Sequence, residues 1–333
     1  MRALMSIRTG GPETLVLQEL PAPVAGPGQV QVQVKSCGVN FPDVLMIEDR
    51  YQSKPERPFA PGGEISGVVS ALGAGVTELA VGDRVLGNVG QGGMSEVAVG
   101  EAWRFMKIPG DMPFDEASGF ITNFGTTYHA LKDRAAMTPG KTLLVLGAAG
   151  GVGMTAVAVG KAMGAKVIAA ASTQEKVDAC LAQGADVGVV YGRGPFDRDG
   201  QKQLAEQFKA ACGPDGADVI YDAVGGDYAE PALRSIAWEG RYLVIGFAAG
   251  DIPKIPINLA LLKGCEIVGV FFGAWVGRNP ERHRQNLAEL LALYEAGKIR
   301  TPVSEHYPLA RGGEALERLR SRQAVGKVVV TMD

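Results

Sequence analysis

A glycine-rich loop between an apolar strand and a helix constrains the fold of this chain more than any other feature of its sequence. The strand is predicted at 143–146, the loop reads GAAGGVG over 147–153, and the helix is predicted over 152–163. Small residues at such a turn let the backbone approach a pyrophosphate, and the helix N-terminus favours phosphate. The loop therefore predicts a dinucleotide site, although Ala148 takes the place of the first glycine. The expected contact residues are Ala149, Gly150, Gly151, Val152 and Gly153.

Alternating strands and helices continue after this loop and set the fold class. Such alternation predicts a parallel sheet with helices on both faces. The first 123 residues differ, because short β-rich runs such as 30–35 (VQVQVK) stand between glycines and prolines. We therefore predict an α/β protein that joins a β-rich domain to a doubly wound parallel sheet. The later strands are predicted at 167–171, 187–191, 218–222, 242–245, 265–272 and 327–331, and the later helices at 175–183, near 202–211, near 228–237 and at 280–296.

Length and charge limit the classes of partner. The 333 residues suggest about two domains, and 46% apolar residues suffice for a core in each. With 33 Lys and Arg against 36 Asp and Glu, the net charge of −3 provides no basic surface for nucleic acid. One uncharged window at 142–160 has the length of a membrane span, but its glycines and strand-then-helix pattern favour a buried βα unit. We therefore predict neither a nucleic-acid nor a membrane partner.

The four cysteines indicate the cellular compartment. Cys37, Cys180, Cys212 and Cys265 are scattered, with no CxxC pair and no histidine at metal-ligand spacing. The first residues run directly into a strand-like pattern and show no targeting signal. We therefore predict a reduced, cytoplasmic protein.

The end of the second strand of the dinucleotide unit decides which nicotinamide cofactor is favoured. An NAD site would place Asp or Glu there to bind the ribose hydroxyls. Here Ser172 can donate to a 2′-phosphate and Lys176 can neutralise its charge. We interpret Glu175 as an acidic residue in the first turn of the next helix and not as a ribose ligand. The sequence thus favours NADPH over NADH.

Five short blocks give the chain a resemblance that covers nearly its whole length. The chain resembles the medium-chain dehydrogenase/reductase superfamily, and within it the zeta-crystallin-like NADPH:quinone oxidoreductases. This resemblance implies a GroES-like catalytic domain at 1–123 and 274–333, a Rossmann domain at 124–273, and an active site in the cleft between them. The blocks are GVNFPD (38–43), PGGEISG (61–67), VGDRV (81–85), AAGGVG (148–153) and GKVV (326–329).

The same resemblance extends the cofactor site. It implies that Tyr191 lies by the adenosine 2′-phosphate and that Lys327 lies close to the cofactor. Thr127 is also expected at the cofactor. Backbone segments expected beside the nicotinamide comprise Gly246, Phe247 and Ala248, and Phe271, Phe272 and Gly273.

Zinc-dependent alcohol dehydrogenases share this architecture, so the residues at the positions of their zinc ligands show whether this chain could bind zinc. The resemblance implies that Asn40, Gly63 and about Thr122 stand where those enzymes carry a Cys, a His and a second Cys. None of these three is a good zinc ligand, and the stretch 88–101 lacks the cysteines of the structural zinc lobe. We therefore predict no metal site.

Hydride transfer without a Lewis acid suits acceptors that are already electron-poor, such as quinones. Charge then develops on a carbonyl oxygen, and one donor aimed at it is worth up to about 3–4 kcal/mol in a water-poor site. We choose Asn40 as that donor. Asp43 and Tyr51 match family positions that line the cleft, and Thr126 is a further contact candidate, whereas Leu45 stands at or beside the place of a second family tyrosine.

Two other functions stay open from the sequence. The first is an enoyl or enone reductase acting on an α,β-unsaturated ketone or acyl-CoA, for which Arg278, Arg282 and Arg284 offer a basic rim. The second is a non-catalytic NADPH-binding protein. For assembly, the apolar run 266–271 (EIVGVF) would be an exposed sheet edge in a monomer, and pairing with a second copy would cover it. We therefore predict a homodimer that acts on a small electron-poor molecule.

Overall fold

The computed structural model describes residues 1–332, which divide into two compact units. The first unit combines residues 1–122 with 301–332, and the second unit is Asn123–Arg300. The first division lies one residue from the expected boundary. The return to the first unit follows Arg300, whereas the sequence suggested a return near Gly273. No helix within residues 1–332 has both the length and the apolarity needed to cross a bilayer.

The amino-terminal part of the first unit is β-rich, as predicted. Its two helices are α1 (Phe41–Ile47) and α2 (Phe114–Ser118). Its strands are β1 (Arg2–Ser6), β2 (Leu15–Glu19), β3 (Gln29–Gly38), β4 (Glu64–Leu72), β5 (Arg84–Asn88), β6 (Val97–Glu101) and β7 (Phe105–Lys107).

Strands and helices alternate along the second unit. The strands are β8 (Thr142–Leu146), β9 (Lys166–Ala171), β10 (Val187–Val190), β11 (Ala217–Asp222), β12 (Ile236–Val244) and β13 (Glu266–Gly269). The helices are α3 (Ile121–Tyr128), which begins two residues before the unit, α4 (Gly151–Ala162), α5 (Gln174–Ala182), α6 (Arg198–Cys212), α7 (Ala229–Leu233), α8 (Asn258–Lys263), α9 (Phe272–Arg278) and α10 (Pro280–Glu295). The chain closes in the first unit with β14 (Val303–Pro308), α11 (Gly312–Arg320) and β15 (Lys327–Thr331).

The main sheet of the first unit has the strand order β14-β15-β3-β4-β5-β7, and β6 also pairs with β3. The alternation of valine and glutamine explains why this segment forms the strand β3. Val30, Val32 and Val34 are buried in the core, while the glutamines between them are more exposed. Antiparallel pairing places Gly38 opposite both Val329 of β15 and Glu64 of β4. This register brings three distant parts of the sequence to the end of β3.

The sheet of the second unit is parallel throughout, with the order β10-β9-β8-β11-β12-β13. The chain moves outward from β8 in one direction and then from β11 in the other, so the strand order reverses between β8 and β11. Open parallel sheets bind ligands at the carboxyl ends of their strands near such a reversal. The predicted doubly wound architecture is confirmed.

Three predicted elements of this unit are wrong in extent. The strand expected at 242–245 is β12, which covers Ile236–Val244. The helix expected near 228–237 ends at Leu233, because Ile236 already pairs with Ala217 and opens β12. The strand expected at 265–272 covers only Glu266–Gly269, and α9 begins at Phe272. The carboxyl end of the last strand therefore lies earlier than the sequence suggested.

The later return to the first unit follows from the packing of α10. Its buried face includes Leu287 and Leu290. Tyr128 and Lys132 both donate to Glu289, at 2.5 and 2.6 Å, and Asn286 donates to Asp133 at 2.9 Å. These bonds join α10 to the segment that follows α3, which is why residues 274–300 belong to the second unit.

Candidate active site

The glycine loop lies where the sequence places it, between β8 and α4. Gly147 has a φ of +67°, which favours glycine, and Gly150 precedes the first residue of α4. A Cβ on Gly153 would overlap the carbonyl oxygen of Gly147 and lie 2.7 Å from the carbonyl carbon of Ala148. Only glycine therefore allows α4 to approach the strand this closely. The loop leaves a cradle of backbone at the N-terminus of a 12-residue helix, which fits a pyrophosphate.

Most of the other residues that were predicted for the cofactor in this unit follow the ends of strands, whereas Thr127 lies in α3 and Lys176 in α5. Because the strands are parallel, their carboxyl ends meet at one edge of the sheet. The structure thus brings most of the predicted cofactor residues of the second unit to the edge that carries the glycine loop. In strand order these are Tyr191 after β10, Ser172 after β9, Ala149 to Gly153 after β8, Gly246 to Ala248 after β12, and Phe271 to Gly273 after β13.

Ser172 and Lys176 lie around the start of α5. Ser172 is half-buried directly after β9, and Lys176 is half-buried in the first turn of the helix. Thr173 caps this helix by accepting a hydrogen bond from the Lys176 backbone nitrogen at 3.3 Å. Glu175 is exposed in the same turn, where an acidic side chain interacts favourably with the helix dipole.

Tyr191 is adjacent to this pair. Its backbone nitrogen donates to the carbonyl oxygen of Ala171 at 3.0 Å, so Tyr191 and Ser172 follow neighbouring strands side by side. The Tyr191 ring packs at 4.7 Å from the ring of Tyr228. Burial raises the pKa of the Tyr191 phenol, so the side chain is a neutral hydroxyl near pH 7. A neutral hydroxyl can donate to a phosphate oxygen.

Thr126 and Thr127 are both buried in α3. The Thr127 hydroxyl lies within hydrogen-bond distance of the hydroxyls of Thr155 at 2.9 Å and Tyr221 at 3.1 Å and of the carbonyl oxygen of Val152 at 3.3 Å. These contacts fix α3 against the first turn of α4 and against β11. Thr127 therefore supports the glycine loop from inside the unit.

The segment after β12 is held by main-chain bonds. Gly246 and Ala248 donate to the carbonyl oxygens of Asp222 and Ala223, at 3.3 and 3.1 Å. The Asp222 carboxylate accepts from the backbone nitrogens of Val224 and Gly225 and from the hydroxyl of Tyr242. Burial raises the pKa of Asp222. The backbone beside Phe247 is thus positioned by a buried polar cluster at the end of β11.

In the first unit, Asn40 lies in a network with two charged residues. Lys327 Nζ donates to Asn40 Oδ1 at 2.8 Å and to Glu64 Oε2 at 3.1 Å. Asn40 Nδ2 donates to the same Glu64 oxygen at 3.0 Å and to the carbonyl oxygen of Gly38 at 3.2 Å. An ammonium only donates and a carboxylate only accepts, so the network fixes which way the amide points. Both amide hydrogens have acceptors within the protein.

Lys327 is only 1% exposed and Glu64 is fully buried. The lysine stem passes two glycines, since a Cβ on Gly38 would lie 2.9 Å from Lys327 Cε and one on Gly119 would lie 2.8 Å from its Cγ. The backbone N–H of Thr122 donates a hydrogen bond to Glu64 Oε1 at 2.9 Å. The structure thus places Lys327 in a buried ion pair that orients Asn40.

Asp43 and Tyr51 lie in the same unit. Asp43 Oδ2 accepts from the backbone nitrogen of Asn40 at 2.8 Å at the start of α1. Burial raises the pKa of Asp43 to about 6, against the lowering effect of this bond and of the Lys327 charge. Tyr51 is half-buried and packs against the core of the unit, and its pKa is raised by burial and by the charge of Asp43.

Two residues of the site were missed by sequence reasoning. Glu64 stood in a quoted motif without a role, although a charged residue between Gly63 and Ile65 at a buried strand position is itself a signal. Asn123 lies in the stretch FITNFG (120–125), and its amide packs against Gly151 at the start of α4. Its burial without a partner could not be seen from the sequence.

A zinc ion does not fit the residues present. Across residues 1–332 no group of three or more His, Cys, Asp or Glu side chains is arranged to hold a metal. The three positions that the resemblance assigned to zinc carry the Asn40 amide, Gly63 without a side chain, and Thr122. Neither an amide nor a hydroxyl is a usual zinc ligand.

Comparison with known proteins agrees with this architecture. Residues 26–110 match the model of the alcohol dehydrogenase GroES-like domain, and residues 151–293 match that of the zinc-binding dehydrogenase family. The chain is 39% identical over 332 residues to the quinone oxidoreductase-like protein 2 homolog of Nematostella vectensis, covering 99% of this chain and 88% of the relative.

Two solved structures are similar over nearly the full length. A mycobacterial protein complexed with NADPH has a TM-score of 0.91 at 30% identity, covering 99% of each chain. The Escherichia coli quinone oxidoreductase complexed with NADPH has a TM-score of 0.90 at 27% identity, covering 99% of this chain and 100% of the other. The chain therefore belongs to the medium-chain dehydrogenase/reductase superfamily, and within it to the zeta-crystallin-like NADPH:quinone oxidoreductase family.

Proposed function

We propose that the protein is an NADPH-dependent quinone oxidoreductase that works without zinc. The observation that carries the proposal is the row of dinucleotide-binding features along the carboxyl edge of the parallel sheet, in a chain whose relatives bear quinone oxidoreductase names. The bound cofactor would supply a hydride. The protein's own residues hold the cofactor and receive the acceptor.

Three groups of residues hold the cofactor in this proposal. The backbone of Ala149 to Gly153 binds the pyrophosphate at the N-terminus of α4. Ser172, Lys176 and Tyr191 bind the 2′-phosphate, because they offer two hydroxyls after neighbouring strands and a cation in the first turn of α5. The segments 246–248 and 271–273, together with Thr126, contact the nicotinamide half.

Asn40 contacts the acceptor through its amide in this proposal. The Nδ2 contact to the Gly38 carbonyl, at 3.2 Å, is the longer of its two hydrogen bonds. A substrate oxygen beside Nδ2 would share the hydrogen of this longer bond, and the amide that carries it is already oriented by Lys327 and Glu64. Such preorganised donors stabilise developing negative charge. Asp43 and Tyr51 shape the same end of the unit, with Tyr51 able to stack on a flat acceptor.

An acceptor screen tests the reaction. We expect NADPH oxidation with 1,2- or 1,4-quinones, with kcat/KM for NADPH well above that for NADH. No turnover with any quinone, in a protein that binds NADPH, would contradict the proposal.

The cofactor preference has its own test at Lys176. We expect Lys176→Ala to raise KM for NADPH about tenfold and to leave KM for NADH unchanged, because only the 2′-phosphate needs the cation. Lys202→Ala, on the exposed start of α6, is the matched control and should change neither value. Equal effects on both cofactors would place Lys176 elsewhere than the 2′-phosphate.

The alternative activity is reduction of an enone or an acyl-CoA double bond. A CoA-binding rim would need free cationic side chains, but Arg282 already pairs with the buried carboxylate of Asp133 at 2.7 Å. Activity on acryloyl-CoA that exceeds quinone activity by orders of magnitude would decide for this alternative. Tight NADPH binding without any turnover would instead support a non-catalytic role.

We further propose that the protein is a cytoplasmic homodimer. The four cysteines carry free thiols, in keeping with a reducing compartment. β13 ends the strand order of its sheet, and exposed apolar residues cluster on it and on the segments next to it. A second copy would cover this surface, whose members include Trp238, Leu261, Leu262, Ile267 and Phe271.

A further inference from the structure

The amide of Asn123 is buried without a hydrogen-bond partner. The residue is 3% exposed, and its Nδ2 has no acceptor within the described part of the chain. The buried Asn286 of the same unit shows the usual situation, because its amide donates to Asp133 at 2.9 Å and accepts from Lys132 at 3.1 Å. A buried donor without an acceptor costs stability, so it calls for a reason.

The position of this amide supplies the reason. A Cβ on Gly151 would lie 2.7 Å from Asn123 Nδ2, so the amide lies over the first residue of α4. The Asn123 backbone is held there, since its carbonyl oxygen accepts from the Thr155 hydroxyl at 3.3 Å. Any side chain larger than hydrogen at Gly151 would displace the amide. The orphan donor therefore packs directly beside the first residue of α4.

We infer that Asn123 donates a hydrogen bond from Nδ2 to a pyrophosphate oxygen of NADPH, as a binding residue additional to the glycine loop. The inference rests on the proposed cofactor. An anion at the start of α4 is favoured by the helix backbone, and a buried side-chain donor beside it satisfies its own hydrogen-bonding need only when that anion is bound. The penalty of the orphan amide is thus relieved by the ligand.

Asn123→Leu separates this role from a structural one, because the two predict opposite changes in the protein without cofactor. Leucine has nearly the same shape and removes the unsatisfied donor. We expect the melting temperature of the cofactor-free variant to equal or exceed that of the wild type. We expect the Kd for NADPH, from fluorescence titration, to rise about tenfold or more, since a bond to a charged oxygen is lost.

Two further variants complete the design. Asn123→Asp should weaken NADPH binding more than Asn123→Leu, because a carboxylate would face the pyrophosphate. Asn286→Leu is the matched control, and it should lower the melting temperature and leave the Kd for NADPH unchanged. Asn123→Ala replaces the leucine variant if that variant does not fold.

Ligand fragments test where the bond falls. ADP-ribose 2′-phosphate retains the pyrophosphate and lacks the nicotinamide, so its affinity should fall by the same factor as that of NADPH. A loss confined to NADPH would overturn the assignment to the pyrophosphate. A wild type that binds NADPH and an Asn123→Leu variant that binds it equally well would overturn the inference alone. A wild type that binds no NADPH would overturn the proposed function and the inference together.

Discussion

The ion pair of Lys327 and Glu64 shows how single residues can fix the chemistry of a neighbour. Both side chains are buried, and three donors converge on the Glu64 carboxylate from Asn40, Lys327 and the Thr122 backbone. Removing one member of a buried ion pair leaves a charge without a partner and costs about 3–5 kcal/mol, whereas removing both can be nearly neutral. Stability and amide orientation can therefore be separated by mutation.

We expect Lys327→Met to lower the free energy of unfolding by about 3–5 kcal/mol, measured with urea. Adding Glu64→Gln should recover most of this loss. Turnover of a quinone should stay reduced by roughly 10- to 100-fold in the double variant, because the glutamine amide can both donate and accept and so no longer holds the Asn40 amide in one orientation. Recovery of turnover together with stability would mean that the orientation of Asn40 does not matter for the reaction.

Asp43 is a second single residue whose effect can be measured, through the pH dependence of stability. Its pKa of about 6 lies above the ordinary value of 3.8, since burial disfavours the charged form. A raised pKa means that the stability contributed by the protonated form is present below about pH 4 and is lost as pH rises through 6. Asp43→Asn removes this titration. We expect the difference in the free energy of unfolding, variant minus wild type, to rise by about 2–3 kcal/mol as the pH is raised from 4 to 7.5. Parallel pH profiles would contradict the raised pKa.

At the scale of elements, the contact between β8 and α4 determines the cofactor cradle. The sequence shows four glycines in the loop, but the structure separates their roles. Gly147 has the positive φ that the turn requires, Gly153 allows the helix to approach the strand, and Gly151 leaves space for the Asn123 amide. The helix N-terminus is thus held close to the end of β8 by the absence of side chains.

Gly153→Ala tests this contact. The added methyl would meet backbone atoms of Gly147 and Ala148, which cannot move without shifting α4. We expect a loss of about 1–3 kcal/mol in the free energy of unfolding and a rise of at least tenfold in the Kd for NADPH. Gly277→Ala in α9 is the control, because its Cβ would meet no atom within 4 Å and alanine favours helix. A destabilised Gly277→Ala or a neutral Gly153→Ala would contradict the packing argument.

Across the whole molecule, the sequence predicted local patterns better than the contacts between distant segments. The alternation of strands and helices could be predicted from the sequence, because each strand is a short apolar run and each boundary is marked by glycine or a polar cap. The return of the chain to the first unit after residue 300 could not be predicted. The amphipathic pattern of α10 shows that one face is buried but does not show which unit covers it. The Lys327 network also depends on the register of β15, β3 and β4. The lack of a partner for the Asn123 amide could not be predicted either, because it depends on which acceptors the fold brings near this side chain.

Assembly is a property of the whole molecule, and the exposed apolar surface at β13 is the basis for expecting a dimer. Ile267 is 40% exposed on this strand, and a strand at the end of a sheet offers unpaired backbone groups to a second copy. A lysine there would place a charge in the covered interface, so we expect Ile267→Lys to halve the mass found by light scattering at micromolar concentration. Val24→Lys is the control, because Val24 is an exposed apolar residue of the first unit, and it should leave the mass unchanged. A wild type that is already monomeric at this concentration would exclude the dimer and leave the apolar surface on β13 and α8 for another partner.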